Sequence, residues 1–191
     1  MYKRQEYINV YFFVDRGVDK VNKVKNKEVI DVINMDWNCK SKKIIFNAES
    51  FGLKRNILNG INETFKKYES AIFLEDDLIV SKSFLNFMIN SLILYQKNEK
   101  IMHISGYNFP GFIGYSSSSY LSPFMNCWGW ATWKDRWKKN VNFNENEISS
   151  LTKKERRKFN IYGFEKDYES QLIRNQNKII KTWAIFWYQF I

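Results

Sequence analysis

Phe73-Leu74-Glu75-Asp76-Asp77-Leu78 is the stretch on which the reading of this chain turns. The apolar run Ala71-Ile72-Phe73-Leu74 ends in three consecutive carboxylates, and Leu78-Ile79-Val80 turns apolar again. A short apolar run cut off by polar residues reads as a buried strand. Three adjacent acids at its C-terminal end repel one another and are poor strand formers. A divalent cation such as Mg²⁺ or Mn²⁺ among them would remove the repulsion and leave positions open for substrate phosphates. In open α/β sheets the ligand crevice lies beyond the carboxyl ends of strands. The other reading of the same residues is a solvated acidic turn.

Outward from this stretch, strands and helices alternate. Residues 8–14, INVYFFV, read as a strand ending at Asp15, and residues 43–47, KIIFN, as a shorter one. Between them, residues 20–33 carry a rough helical stripe. From Gly52, the residues Leu53, Ile57, Ile61 and Phe65 recur at i+4 spacing, an amphipathic helix. Ser81 and Ser83 are placed to cap a helix whose apolar face is Phe84, Phe87, Met88, Leu92 and Tyr95. Residues 101–105, IMHIS, form a further strand that ends in a Gly106-Tyr107-Asn108 turn. The order β-α-β-α-β-α-β predicts a mostly parallel sheet with helices on both faces. Four strands then end in polar residues: Asp15, Asn47, the acidic triplet, and residues 105–108. In a parallel sheet those ends share one rim.

Past residue 110 the character changes. Phe124-Met125-Asn126-Cys127-Trp128-Gly129-Trp130-Ala131-Thr132-Trp133 leads into Arg136-Trp137. Trp130, Trp133 and Trp137 fit one helical face, with Trp133 and Trp137 as core. Trp128 and Trp130 flank a glycine, where rings suit the apolar face of a sugar or a nucleobase. A second acidic group, residues 165–169, opens a helix running to about Asn175, and acids there also answer the helix dipole. His103, the single histidine, lies within a strand and reads as structural. Ser105 has no nucleophile context. Tyr107 and Asn108 are the better candidates for acceptor or donor contacts.

The 191 residues suffice for one domain, and 45% apolar with 18% aromatic content excludes disorder. Cys39 and Cys127 stand far apart with no CxxC, against a disulfide scaffold or zinc site and in keeping with a reducing compartment. The first residues carry charge where a signal peptide needs an apolar stretch. A cytoplasmic protein is expected, at or near the inner face of the membrane. The net charge of +10 favours anionic partners, such as an anionic membrane surface in peripheral contact or a phosphorylated substrate. No nucleic-acid fingerprint accompanies it, so no nucleic-acid partner is expected.

FLEDDLIVSKSFLNFM, HISGYNFP and above all CWGWATWKDRW resemble bacterial sugar transferases of the GT-A fold. These are similar in turn to the eukaryotic N-glycan N-acetylglucosaminyltransferase I family. The resemblance runs from about Tyr11 to the C-terminus. It implies a GT-A (Rossmann-like) fold over residues 1–191, with 1–109 as the nucleotide-binding part and 110–191 as the acceptor-side part. It implies a metal-dependent transferase that moves a sugar from a nucleotide-diphosphate sugar to a glycan or lipid-linked glycan acceptor, in surface-polysaccharide or glycan synthesis. Asp77 would ligate Mn²⁺ or Mg²⁺, and Glu75 and Asp76 would hold the ribose and sugar. Asp15 would help hold the base, and Trp130 would lie in the donor–acceptor pocket. Asp167 would be the catalytic base, with Glu165 or Glu169 in its place if the helix is rotated. Members usually begin with an additional strand and helix and continue past the last residue here. The expectation is a sheet lacking its first strand, in a chain truncated at both ends.

A single displacement with Asp167 as general base inverts the anomeric centre. The rival readings are another metal–phosphate enzyme such as a nucleotidyltransferase, which lacks its glycine-rich loop here, and a catalytically dead truncated remnant.

Overall fold

The computed structural model describes residues 7–17, 20–108, 119–139, 152–163 and 167–191. The chain divides into two compact units, Met1–Asn62 and Glu63–Ile191. The expected partition at residue 109 falls inside the second of them.

In the first unit, strand β1 (Asn9–Val14) and strand β2 (Ser41–Phe46) pair in parallel, Asn9 opposite Ser41 and Val14 opposite Phe46. Helix α1 (Lys20–Asn34) connects them, and helix α2 (Gly52–Phe65) follows, its last turn belonging to the second unit. β1 is a run of β-branched and aromatic residues, which suit a pleated surface. A Cβ on Gly60 would come 3.1 Å from the Phe13 ring, so glycine lets α2 lie against β1. Asn56 of α2 adds a hydrogen bond to the Phe13 carbonyl at 3.3 Å.

The second unit is built on a three-stranded antiparallel sheet in the order β3 (Ser70–Phe73), β5 (Trp130–Trp133), β4 (Ile104–Ser105). Helix α3 (Phe84–Leu94) lies between β3 and β4 in sequence. After β5 come α4 (Lys134–Lys139), α5 (Lys153–Phe159), α6 (Asp167–Gln176) and α7 (Ala184–Phe190). The architecture is mixed α/β. In place of one sheet carrying all the predicted strands there are a parallel pair and a small antiparallel sheet, because β5 inserts between β3 and β4.

β5 corrects the helical reading of Trp130, Trp133 and Trp137. Alternation along a strand sends Trp130 and Thr132 to one face and Ala131 and Trp133 to the other. Ala131 and Trp133 join Phe84, Met88, Leu92 and Ile104 in a core under α3. Trp130 stacks between His103 and Trp183, with ring centroids 5.1 and 5.3 Å away, and touches Phe73, Trp137 and Trp187. The predicted apolar face of α3 is buried at Phe84, Met88 and Leu92, while Phe87 is exposed. Its serines do not cap by side chain: the Ser81 and Ser83 hydroxyls bond each other at 3.1 Å, and backbone carbonyls of both accept the first helical N–H groups. Among the described residues no helix is long and apolar enough to cross a membrane.

Candidate functional site

β3 and β4 run the same way, each antiparallel to β5, and both terminate opposite its first residue: Phe73 pairs with Trp130, and so does Ser105. Residues 75–77, 106–108 and 126–129 therefore leave the sheet at one rim. For these two strands the predicted meeting of strand ends is observed, with the loop before β5 as an added component.

Close packing binds the loops after β4 and before β5. The Gly106 N–H donates to the Gly129 carbonyl at 2.7 Å. A Cβ on Gly106 would fall 2.4 Å from a Phe84 ring carbon and 2.8 Å from that same carbonyl oxygen, so the approach requires glycine. Gly129 has φ +70°, a left-handed conformation that suits glycine. The Asn126 carbonyl accepts from the Ser105 hydroxyl at 3.2 Å, and His103 Nε2 lies 3.0 Å from it. Trp187 donates its indole N–H to His103 Nδ1 at 3.1 Å, which leaves Nε2 as the protonated nitrogen. Burial holds this imidazole down at about 4, the bond to Asn126 opposing it only in part.

Glu75, Asp76 and Asp77 occupy a turn closed by the Leu78 N–H to the Glu75 carbonyl. Burial raises the Glu75 carboxyl above its ordinary range, and the charges of Asp77 and then Asp76 raise it further. Burial likewise pushes the Cys127 thiol up to about 11, with the Glu75 charge adding to it. Crowded like charges of this kind are what a cation relieves. Among the described residues no three His, Cys, Asp or Glu side chains close a metal cage.

The aromatic expected at the pocket is a different one. Trp130 is 2% exposed and both its faces are covered, so its ring cannot meet a sugar. Trp128 is 52% exposed and meets the Tyr107 ring edge-on at 4.9 Å. Its backbone N–H is held by Asn126 Oδ1 at 2.7 Å. The Trp-Gly-Trp spacing indicated a ring at a turn. Which of the two rings is exposed follows from where β5 begins. Asn108 is exposed, and its Oδ1 accepts from the Tyr120 hydroxyl at 2.6 Å.

Asp167 stands exposed in the first turn of α6 and accepts from Gln171 one turn on, at 2.9 Å. Glu169 is committed to structure, accepting from Arg156 at 2.9 Å and Asn160 at 3.3 Å, so it joins α6 to the α5 region. Glu165 lies outside the described residues.

In the first unit the ends of β1 and β2 also meet. Asp15 accepts from the Asn47 amide at 3.0 Å and from the Phe51 and Gly52 N–H groups, each at 2.8 Å. Burial would raise this carboxyl, but those bonds prevail and hold it below its ordinary value. Asp15 thus fixes the entry to α2, a role that its place after a strand did not reveal.

No known protein family, curated protein or solved structure matches this chain.

Proposed function

We propose that this chain is a metal-dependent glycosyltransferase of the GT-A type, transferring a sugar from a nucleotide-diphosphate sugar to a hydroxyl acceptor with inversion. The observation that carries the reading is the acidic triplet at the end of β3, on one rim with Tyr107 and Trp128. Asp77 would hold Mn²⁺ or Mg²⁺, and Glu75 and Asp76 would contact the sugar and ribose of the donor. When bound, the metal supplies Lewis-acid stabilisation of the departing diphosphate. Tyr107 and Asn108 orient the acceptor, and Asp167 takes the proton from its hydroxyl. Asp15 orders residues 47–52 within the first unit. The place of work is the cytoplasm or the inner membrane face, in glycan or surface-polysaccharide synthesis.

Calorimetry with UDP tests the reading. UDP binding should require Mn²⁺, and Asp77→Asn should weaken it by more than about tenfold, or 1.4 kcal/mol. Mn²⁺-independent UDP binding, or an Asp77→Asn variant that binds as the parent does, would overturn the metal assignment.

A further inference from the structure

From Tyr107 and Asn108 a groove of about 890 Å³ runs along α3 and the chain before β4. That volume lies within the size range of ligand pockets. The groove differs from the rest of the protein in charge. The chain as a whole carries +10, with 30 lysines and arginines, yet among the described residues Lys100 is the one lysine or arginine in the lining, and none of them lines it with an Asp or Glu side chain. Hydroxyls and amides face it instead, among them Asn86, Asn108 and Ser122, together with the rings of Phe87 and Tyr120. The Tyr120 hydroxyl donates to Asn108 Oδ1, so the amide oxygen is the end of Asn108 that Tyr120 holds. At the rim end, Tyr107 both lines the groove and carries the edge-on contact with exposed Trp128.

We infer that this groove, with the Tyr107–Trp128 pair at its mouth, binds an extended neutral oligosaccharide. Sugar rings offer apolar C–H faces to aromatic side chains and hydroxyls to amides and serines, and this lining supplies both. An acidic glycan or a lipid-linked diphosphate calls for a cluster of arginine or lysine, and among the described residues the lining offers Lys100 alone. A lipid tail calls for an unbroken apolar wall, which Asn86, Asn108 and Ser122 interrupt. That the saccharide is an acceptor rests on the transferase reading; that the groove holds a neutral saccharide does not.

Saturation-transfer NMR on the full chain, with chitotetraose and maltotetraose as neutral probes and tetragalacturonate as the acidic one, tests this. At least one neutral tetrasaccharide should bind in preference to the acidic one. Trp128→Ala at the mouth and Phe87→Ala in the groove, both exposed positions, should each weaken that binding about tenfold. Silence from both neutral probes, equal or tighter binding of tetragalacturonate, or variants that bind like the parent would overturn the inference. UDP with Mn²⁺ is titrated in parallel. Neutral binding without UDP–Mn²⁺ binding would keep the groove and remove the transferase reading. UDP–Mn²⁺ binding without neutral saccharide binding would remove the groove assignment alone.

Discussion

Glu75 and His103 show two opposite ways in which single residues of this rim are held against their solution chemistry. Glu75 has its carboxyl raised by burial and by Asp77 and Asp76, so above its ordinary 4.5 the folded state holds a proton that the unfolded chain releases. Stability therefore falls as pH rises through that region. Glu75→Gln removes the conflict. It should raise the melting temperature at pH 7 in metal-free buffer and flatten this part of the pH dependence, while weakening any Mn²⁺-dependent UDP binding. A lower melting temperature would mean that Glu75 is stabilised by neighbours rather than strained by them. His103 works the other way. Between about pH 4 and its ordinary 6.5 the unfolded chain binds a proton that the folded state does not, so acidification through that window favours unfolding. As the single histidine, it gives one unambiguous imidazole resonance, expected to titrate near 4. A midpoint near 6.5 would show that Trp187 and Asn126 do not enclose it. Neither shift was legible in the sequence. The triplet announced its acids by type, but not the burial of Glu75, whose charge reaches Cys127, a residue 52 positions beyond it in the loop that leads into β5.

At the scale of elements, the segments with strong periodicity were legible and the short dual-period one was not. β1, β2 and β3, and helices α1 and α2, lie within a few residues of their predicted places, because runs such as VYFFV and the i+4 series from Leu53 support a single periodicity. Trp130 and Trp133 are spaced for a helix, and only the pairing of residues 130–133 with strands on both sides makes them a strand. Once β5 is in place, it closes the end of α3. Trp133 donates its indole N–H to the Leu92 carbonyl at 3.2 Å, and Arg136 donates to the Gln96 carbonyl at 2.7 Å and, more weakly, to that of Tyr95 at 3.4 Å. Carbonyls at a helix C-terminus lack intrahelical donors and carry negative partial charge, so a buried cation is tolerated there. Arg136 is 2% exposed, with its guanidinium 4.2 Å over the Trp133 ring and a bond to the half-exposed Asp135. Arg136→Ala should lower stability by about 2–4 kcal/mol in urea titrations, since it removes these bonds and leaves a void. Arg136→Lys should recover less than half of that, because an ammonium cannot make the same forked, stacked contact. Full recovery by lysine would assign the effect to charge alone.

At the scale of the whole molecule, each of the two sheets ends in an apolar strand with a ladder on one side among the described residues. β1 pairs only with β2, and β3 only with β5. The sequences of these edges, NVYFFV and SAIF, contain neither lysine nor proline, the residues that ordinarily keep an edge from pairing with another chain. In β3 the geometry is explicit. The Lys134 N–H donates to the Glu69 carbonyl, so Glu69, Ala71 and Phe73 face β5, and alternation along an antiparallel ladder turns the Ser70 and Ile72 peptide groups the other way. This edge supports the rim as well, since the acidic triplet begins two residues beyond Phe73. A strand added at that edge would steady the triplet, and a strand from another copy would cause association. The chain at about 100 µM should therefore self-associate in sedimentation velocity, the edge being the unit of recognition in β-strand addition. Ser70→Lys places a charge on the edge strand, on the face that Ser70 shares with Ile72 and Trp133. It should shift the distribution toward monomer, and a urea titration of the same variant separates a blocked edge from a weakened fold. A parent chain that sediments as a monomer at that concentration, or a Ser70→Lys variant that associates as strongly, would show that the outward peptide groups of β3 are not the ones that recruit another strand.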